Sequence, residues 1–139
     1  MIKLIIGGAI FIVSVLTLSC APKPTDLAKA TIITDEIYRE IAPQVTTALQ
    51  TSTENSAEYK RLRLVEQKLH EYNEARNKCV EAVGIWESTG QPPEDTRKHY
   101  DQMKKSIIDA VVLAQSLYIY TNECSARTAI KGKAGNSCR

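Results

Sequence analysis

Two imidazoles, His70 and His99, and four cysteines, Cys20, Cys79, Cys124 and Cys138, are the residues best suited to metal or redox chemistry. His70 has Glu66 and Glu74 four residues to either side. That spacing puts all three on one helical face, where they could hold a metal weakly. The same spacing also makes ordinary charge pairs on a solvated face, which is the simpler reading of Glu66, His70 and Glu74. No C-x-x-C, C-x-x-C-H or H-E-x-x-H occurs, which disfavours thioredoxin-type redox chemistry, covalent haem and zinc protease chemistry. There is no phosphate-binding glycine loop and no G-x-S-x-G elbow either. Serines and carboxylates are plentiful, but their spacing selects no catalytic group. The chain is read as a non-enzyme without a cofactor. Lys plus Arg number 18 against 16 Asp plus Glu, too even a balance to hold the phosphate backbone of a nucleic acid.

The N-terminus carries a different kind of signal. Met1-Ile2-Lys3 supplies a short positive start, and residues 4–19 are uncharged throughout. Basic start, apolar middle and small residues ahead of a cut are the anatomy of a secretory signal. With L-T-L-S-C at 16–20, the segment resembles a bacterial lipoprotein signal, in which a lipobox of small or aliphatic residues precedes an invariant cysteine. The resemblance implies cleavage between Ser19 and Cys20, diacylglycerol on the Cys20 sulfur, and a further acyl chain such as palmitate on its nitrogen. Leu18 and Thr17 fill the permissive positions, although Leu is commoner where Thr17 stands. Ala21 directly after the cysteine would imply outer-membrane sorting, facing the periplasm. The resemblance covers residues 1–20 only. Two other readings stand beside it: an uncleaved helix over Leu4 to Pro22, long enough to span about 30 Å of hydrocarbon, or an ordinary signal cut nearby that leaves Cys20 a thiol. In each case the chain beyond about residue 20 lies outside the cytoplasm, where disulfides form.

These residues need elements to position them. After Cys20 the large aliphatics are nine Ile, seven Leu and six Val, close to the share of about 20% below which chains often stay disordered. Balanced charge and regular apolar spacing argue instead for a narrow helical core. Two prolines make residues 20–25 an extended tether. A first helix, about 26–51, starts at Thr25 or Asp26 as N-cap. It carries Ala30, Ile33, Ile37, Ile41, Val45 and Ala48 on one face, with a kink or a split expected at Pro43. Asn55 and Glu58 resemble a capping box for a second helix, about 56–88. Its Leu62, Val65, Leu69, Tyr72, Arg76, Cys79, Val83 and Trp86 alternate at three and four residues, as heptad a and d positions do. T-G-Q-P-P-E-D marks a turn. A third helix, about 93–122, follows, with Tyr100, Met103, Ile107, Ala110, Ala114 and Leu117 on one seam, and Ile108, Val111, Val112 and Tyr118 widening it. Residues 125–139 read as a flexible basic tail.

The predicted fold is all-α: an elongated antiparallel bundle of three helices after an N-terminal apolar signal helix. Residues facing each other across the second turn then sum to about 181, which sets Cys79 near Gln102, some 33 Å from Cys124. A disulfide tolerates about 7 Å between α-carbons, so a straight bundle forbids Cys79 to Cys124. With Cys20 lipidated, Cys124 with Cys138 is the favoured pair and Cys79 with Cys138 its rival, Cys79 reading otherwise as a small buried apolar residue. The same rule sets His99 opposite Ala82, far from His70. Arg76, alone polar in the heptads, reaches a carboxylate on a neighbouring helix or contacts a partner. Trp86 is a core residue at the hairpin end or a binding anchor. The function expected is that of a membrane-tethered, non-catalytic helical module contacting another protein at the cell envelope. The alternatives are a lipoprotein that binds a small ligand or metal, and a phage or mobile-element lipoprotein.

Overall fold

Lys23 and Pro24 open the first helix for a simple reason: proline at the first helical position lacks only a donor that no helix would use there. The computed structural model describes residues 23–131, those from 118 onwards as backbone only. The expectations for Ser19, Cys20 and Cys138 lie outside the described residues, as do those for the side chains of Tyr118 and Cys124. Three helices follow one another: α1 (Pro24–Thr51), α2 (Ala57–Thr89) and α3 (Thr96–Lys131). The all-α bundle is as the sequence predicts.

The ends differ in detail from the expectation. Lys23 is the N-cap of α1, two residues ahead of the expected Thr25, and its N–H donates to Asp26 Oδ2 at 3.3 Å, so Pro24 and Thr25 belong to the helix and not to the expected tether. Ser56, not Asn55, caps α2 by accepting from the Tyr59 N–H at 3.0 Å, and Asn55 takes the turn's left-handed conformation at φ 68°. Gly90 closes α2 at φ 75°, its N–H donating to the Trp86 carbonyl at 2.8 Å. Glycine reaches that φ without the steric cost of a Cβ. Helix α3 begins at Thr96 after a turn in which Thr96 donates to the Pro93 carbonyl, and it continues to Lys131, through part of the expected tail.

Pro43 does not split α1, which runs unbroken to Thr51. Around the proline, Gln44 Nε2, Thr46 Oγ1 and Thr47 Oγ1 donate to the carbonyls of Glu40, Ala42 and Pro43 at 2.9, 3.0 and 2.9 Å. All three are local bonds back to a carbonyl four residues earlier, and the carbonyl whose helical donor the proline removes is that of Arg39.

Helix α2 is central. It packs more closely on α3 than on α1, while α1 and α3 approach each other at few points. The core is Leu27, Ile37, Ile41 and Val45 of α1, Leu62, Val65, Leu69, Tyr72 and Cys79 of α2, and Tyr100, Met103, Ile107, Val111 and Leu117 of α3. Two corrections matter for the site. On α1, Thr31 and Thr34 are buried where Ile33 was expected, Ile33 being half-buried. On α3, Val112 is 55% exposed and does not widen the core face.

Candidate functional site

Arg76 sits on the heptad seam of α2 with its stem along the helix and its guanidinium on α1. Its Nη2 and Nε donate to Asp35 Oδ2 at 2.7 and 3.2 Å, and Nε also reaches Oδ1 at 3.0 Å. One turn back, the hydroxyl of Tyr72, wholly buried, donates to Asp35 Oδ1 at 2.6 Å and lies 3.0 Å from Thr34 Oγ1. The Tyr72 ring stacks on Tyr38 with centroids 5.4 Å apart, and Asn73 Nδ2 donates to the Tyr38 hydroxyl at 2.9 Å. Thr34 itself donates to the carbonyls of Ala30 and Thr31, and its hydroxyl also lies 3.9 Å from the Met103 sulfur. Of the expectations for Arg76, the structure gives the carboxylate on a neighbouring helix.

The electrostatics follow from this geometry. Burial pushes the Asp35 carboxyl up, but hydrogen bonds from Arg76 and Tyr72, with the fields of Arg76 and Arg39, outweigh it and hold Asp35 below its ordinary 3.8. Burial, aided by the Asp35 hydrogen bond and charge, pushes the Tyr72 phenol far up, so it stays neutral as a donor. The hydrogen bond to Asp35 raises Arg76 in turn. A carboxylate depressed in the folded chain contributes stability that is complete above the unfolded value and fades as pH falls through the folded one. Acid unfolding followed by circular dichroism is therefore expected to show a loss below about pH 4 that Asp35→Asn flattens. An unchanged acid limb in the variant would show that Asp35 is not responsible.

The other candidates are not brought together. Glu66 pairs with Arg63 on α2, and His70 Nε2 lies 3.5 Å from Glu74 Oε1 with both side chains mostly in solvent. Among the described residues no group of three His, Cys, Asp or Glu side chains is placed to hold a metal. Glu66 is thus paired with Arg63 on its own helix, while His70 and Glu74 lie together on the solvated face. His99 lines a shallow groove with Ala82, Ile85 and Pro93, where the facing rule sets it. Cys79 is fully buried and its thiol is pushed up to about 11 by burial alone, which makes it an inert core residue. Trp86 is half-buried in the last turn of α2, beside the exposed Ile85. Cys124 falls within α3, and Cys138 lies beyond the described residues.

The sequence reading missed Asp35, Thr34, Tyr38 and Asn73. A signal for Asp35 was present: residues facing each other across the Ser52 to Ser56 turn sum to about 108, which places Arg76 within one turn of Asp35. Chemically the cluster is a clamp. Its charges are paired, its phenol cannot ionise near neutral pH, and the grooves beside Tyr59, His70 and His99 are lined by other residues. Among the described residues no helix is long and apolar enough to cross a membrane. Compared with protein-family models, with curated proteins and with solved structures, the chain matches none of them.

Proposed function

We propose that the protein is a lipid-anchored helical module of the bacterial cell envelope, without catalytic activity, that presents its bundle to a protein partner. The observation that carries the reading is the lipobox-like L-T-L-S-C at 16–20, which ends three residues before the helix N-cap at Lys23. Three residues reach at most about 10 Å, so an acyl chain on Cys20 would hold the start of α1 at the membrane surface. The antiparallel pairing of Asp35 with Arg76 and Tyr38 with Asn73 sets that start beside the Trp86 and Gly90 end of α2. The lipid would then define a membrane-proximal end, with the turn at Thr53 to Asn55 about 40 Å away. The absence of charge from residues 4–19 and the Ala21 after the cysteine agree with export and outer-membrane sorting.

A non-catalytic role is supported by the use the bundle makes of its buried polar groups. Tyr72, Asp35 and Arg76 bind each other across helices, so their hydrogen-bonding capacity is spent on holding α1 to α2. The test is palmitate labelling of growing cells followed by intact mass of the purified chain, for the wild type and Cys20→Ser. The wild type is expected to take up label, to lose residues 1–19 and to gain the mass of its acyl groups. Cys20→Ser is expected to lose all label. An unlabelled wild-type chain that keeps Met1 would refute the anchor.

A further inference from the structure

Helix α1 is held differently from the other two. The α2–α3 seam is the larger one, with buried residues from Leu62 to Ala82 and from Tyr100 to Leu117, whereas α1 lies less closely on α2 and meets α3 at few points. The hydrogen bonds that tie α1 to α2 cluster on a single turn, from Thr34, Asp35 and Tyr38 to Tyr72, Asn73 and Arg76. The two threonines in the α1 core face carry their own acceptors: Thr31 donates to the Leu27 carbonyl at 2.8 Å and Thr34 to the Ala30 carbonyl at 2.8 Å. Those hydroxyls stay satisfied if α1 leaves, so exposing them costs little. At the far end, Thr53, Glu54 and Asn55 are exposed polar residues joining α1 to α2. Nothing in that turn is buried that rotation would expose.

We propose that α1 is a latch: the Asp35, Tyr38, Tyr72 and Arg76 cluster fastens it to the α2–α3 hairpin, and it undocks as a unit about the turn at 52–56 while the hairpin stays folded. The hairpin keeps its own seam, with Leu62, Val65 and Leu69 on α2 and Ile107, Ala110 and Leu117 on α3. Attraction between Lys68 and Asp109, and between Glu71 and Lys105, also remains. The consequence for reach rests on the lipid anchor proposed above. Closed, the Gly90 end lies beside the anchored start of α1. Open, the hairpin swings out on the 28 residues of α1, and its tip can stand about 90 Å from the membrane at 1.5 Å per residue along α1 and then α2. Opening also bares Tyr72 and Met103, both fully buried when α1 is docked. A partner distant from the membrane would thus meet an apolar face that the closed form hides.

Hydrogen–deuterium exchange with peptide-resolved mass spectrometry, on the full chain in detergent, tests the latch. Amides of α1 are expected to exchange as one block at least about tenfold faster than those of α2 and α3. Asp35→Asn is expected to raise the α1 rate by about another tenfold and leave α2 and α3 unchanged. If Asp35→Asn does not fold, Asn73→Ala carries the same test, since it removes the Tyr38 hydrogen bond without touching a charge, with an expected rise of about threefold in α1 alone. One common rate for the three helices, or variants that change all three together or none, would overturn the proposal. The pattern is read whether or not Cys20 carries lipid. A failed lipidation assay therefore leaves the latch standing, and a common rate removes the latch without touching the anchor.

Discussion

Asp35→Ala is expected to destabilise the chain by about 2–3 kcal/mol, because it leaves two donors on α2 without their acceptor. Removing one partner of a fully buried pair typically costs about 3–5 kcal/mol. Here Asp35 and Arg76 retain 20% and 32% of their side-chain exposure, so water compensates part of the loss. The Tyr72 hydroxyl has less recourse, since its ring and oxygen are wholly buried and only Thr34 remains to it. Tyr72→Phe is expected to cost about 1 kcal/mol, as deletion of a donor leaves no buried charge unpaired. Urea unfolding followed by far-ultraviolet circular dichroism gives both values. A double-mutant cycle of Asp35→Ala with Arg76→Ala separates their coupling from other losses. A cost for Asp35→Ala below about 0.5 kcal/mol, the level of an ordinary surface change, would mean that the clamp does not hold α1 in solution.

The clamp also marks where sequence reading reached its limit. Arg76 stood out because a charge broke an otherwise apolar heptad pattern, and its need for a neighbouring carboxylate followed from desolvation alone. Which carboxylate was a question of register between two helices. Register depends on the length and closure of the turn, where Ser56 and not Asn55 turned out to be the cap. The α1 face was misjudged for a related reason. Hydropathy favours Ile33 over Thr34, yet Thr34 can return its hydroxyl to the Ala30 carbonyl and enter the core as a small, nearly apolar group. Helix α2 was legible because its buried positions, Leu62, Val65, Leu69, Tyr72 and Cys79, keep the heptad spacing on both sides of Arg76. The far part of α3 was not, since residues 125–131 show no apolar period and yet continue a helix already nucleated by its packed part. The residues that imply the anchor are the ones the sequence alone speaks for.

Ile107→Ala and Val112→Ala, about one turn and a half apart on α3, should give opposite results, and the contrast decides what the helical seams are for. Heptads such as those of α2 can serve an internal bundle or a coiled coil with another molecule. Ile107 is wholly buried against the other helices of its own chain, so truncation to Ala removes apolar contacts and leaves a cavity. The expected cost is about 2–4 kcal/mol, within the range for buried aliphatic deletions. Val112 is 55% exposed, and Ala has the better helix propensity by about half a kcal/mol. Val112→Ala is therefore expected to be neutral or slightly stabilising. Both are read from urea unfolding at several protein concentrations. If the seam served another copy, the Ile107 midpoint would rise with concentration and its cost would vanish on dilution. A midpoint independent of concentration, with the full cost at Ile107 and none at Val112, places the seam inside one chain. The exposed apolar side chains Ile32, Leu64 and Val112, one on each helix, then contribute little to folding, and substitutions there can be used to probe partner contact without disturbing the bundle.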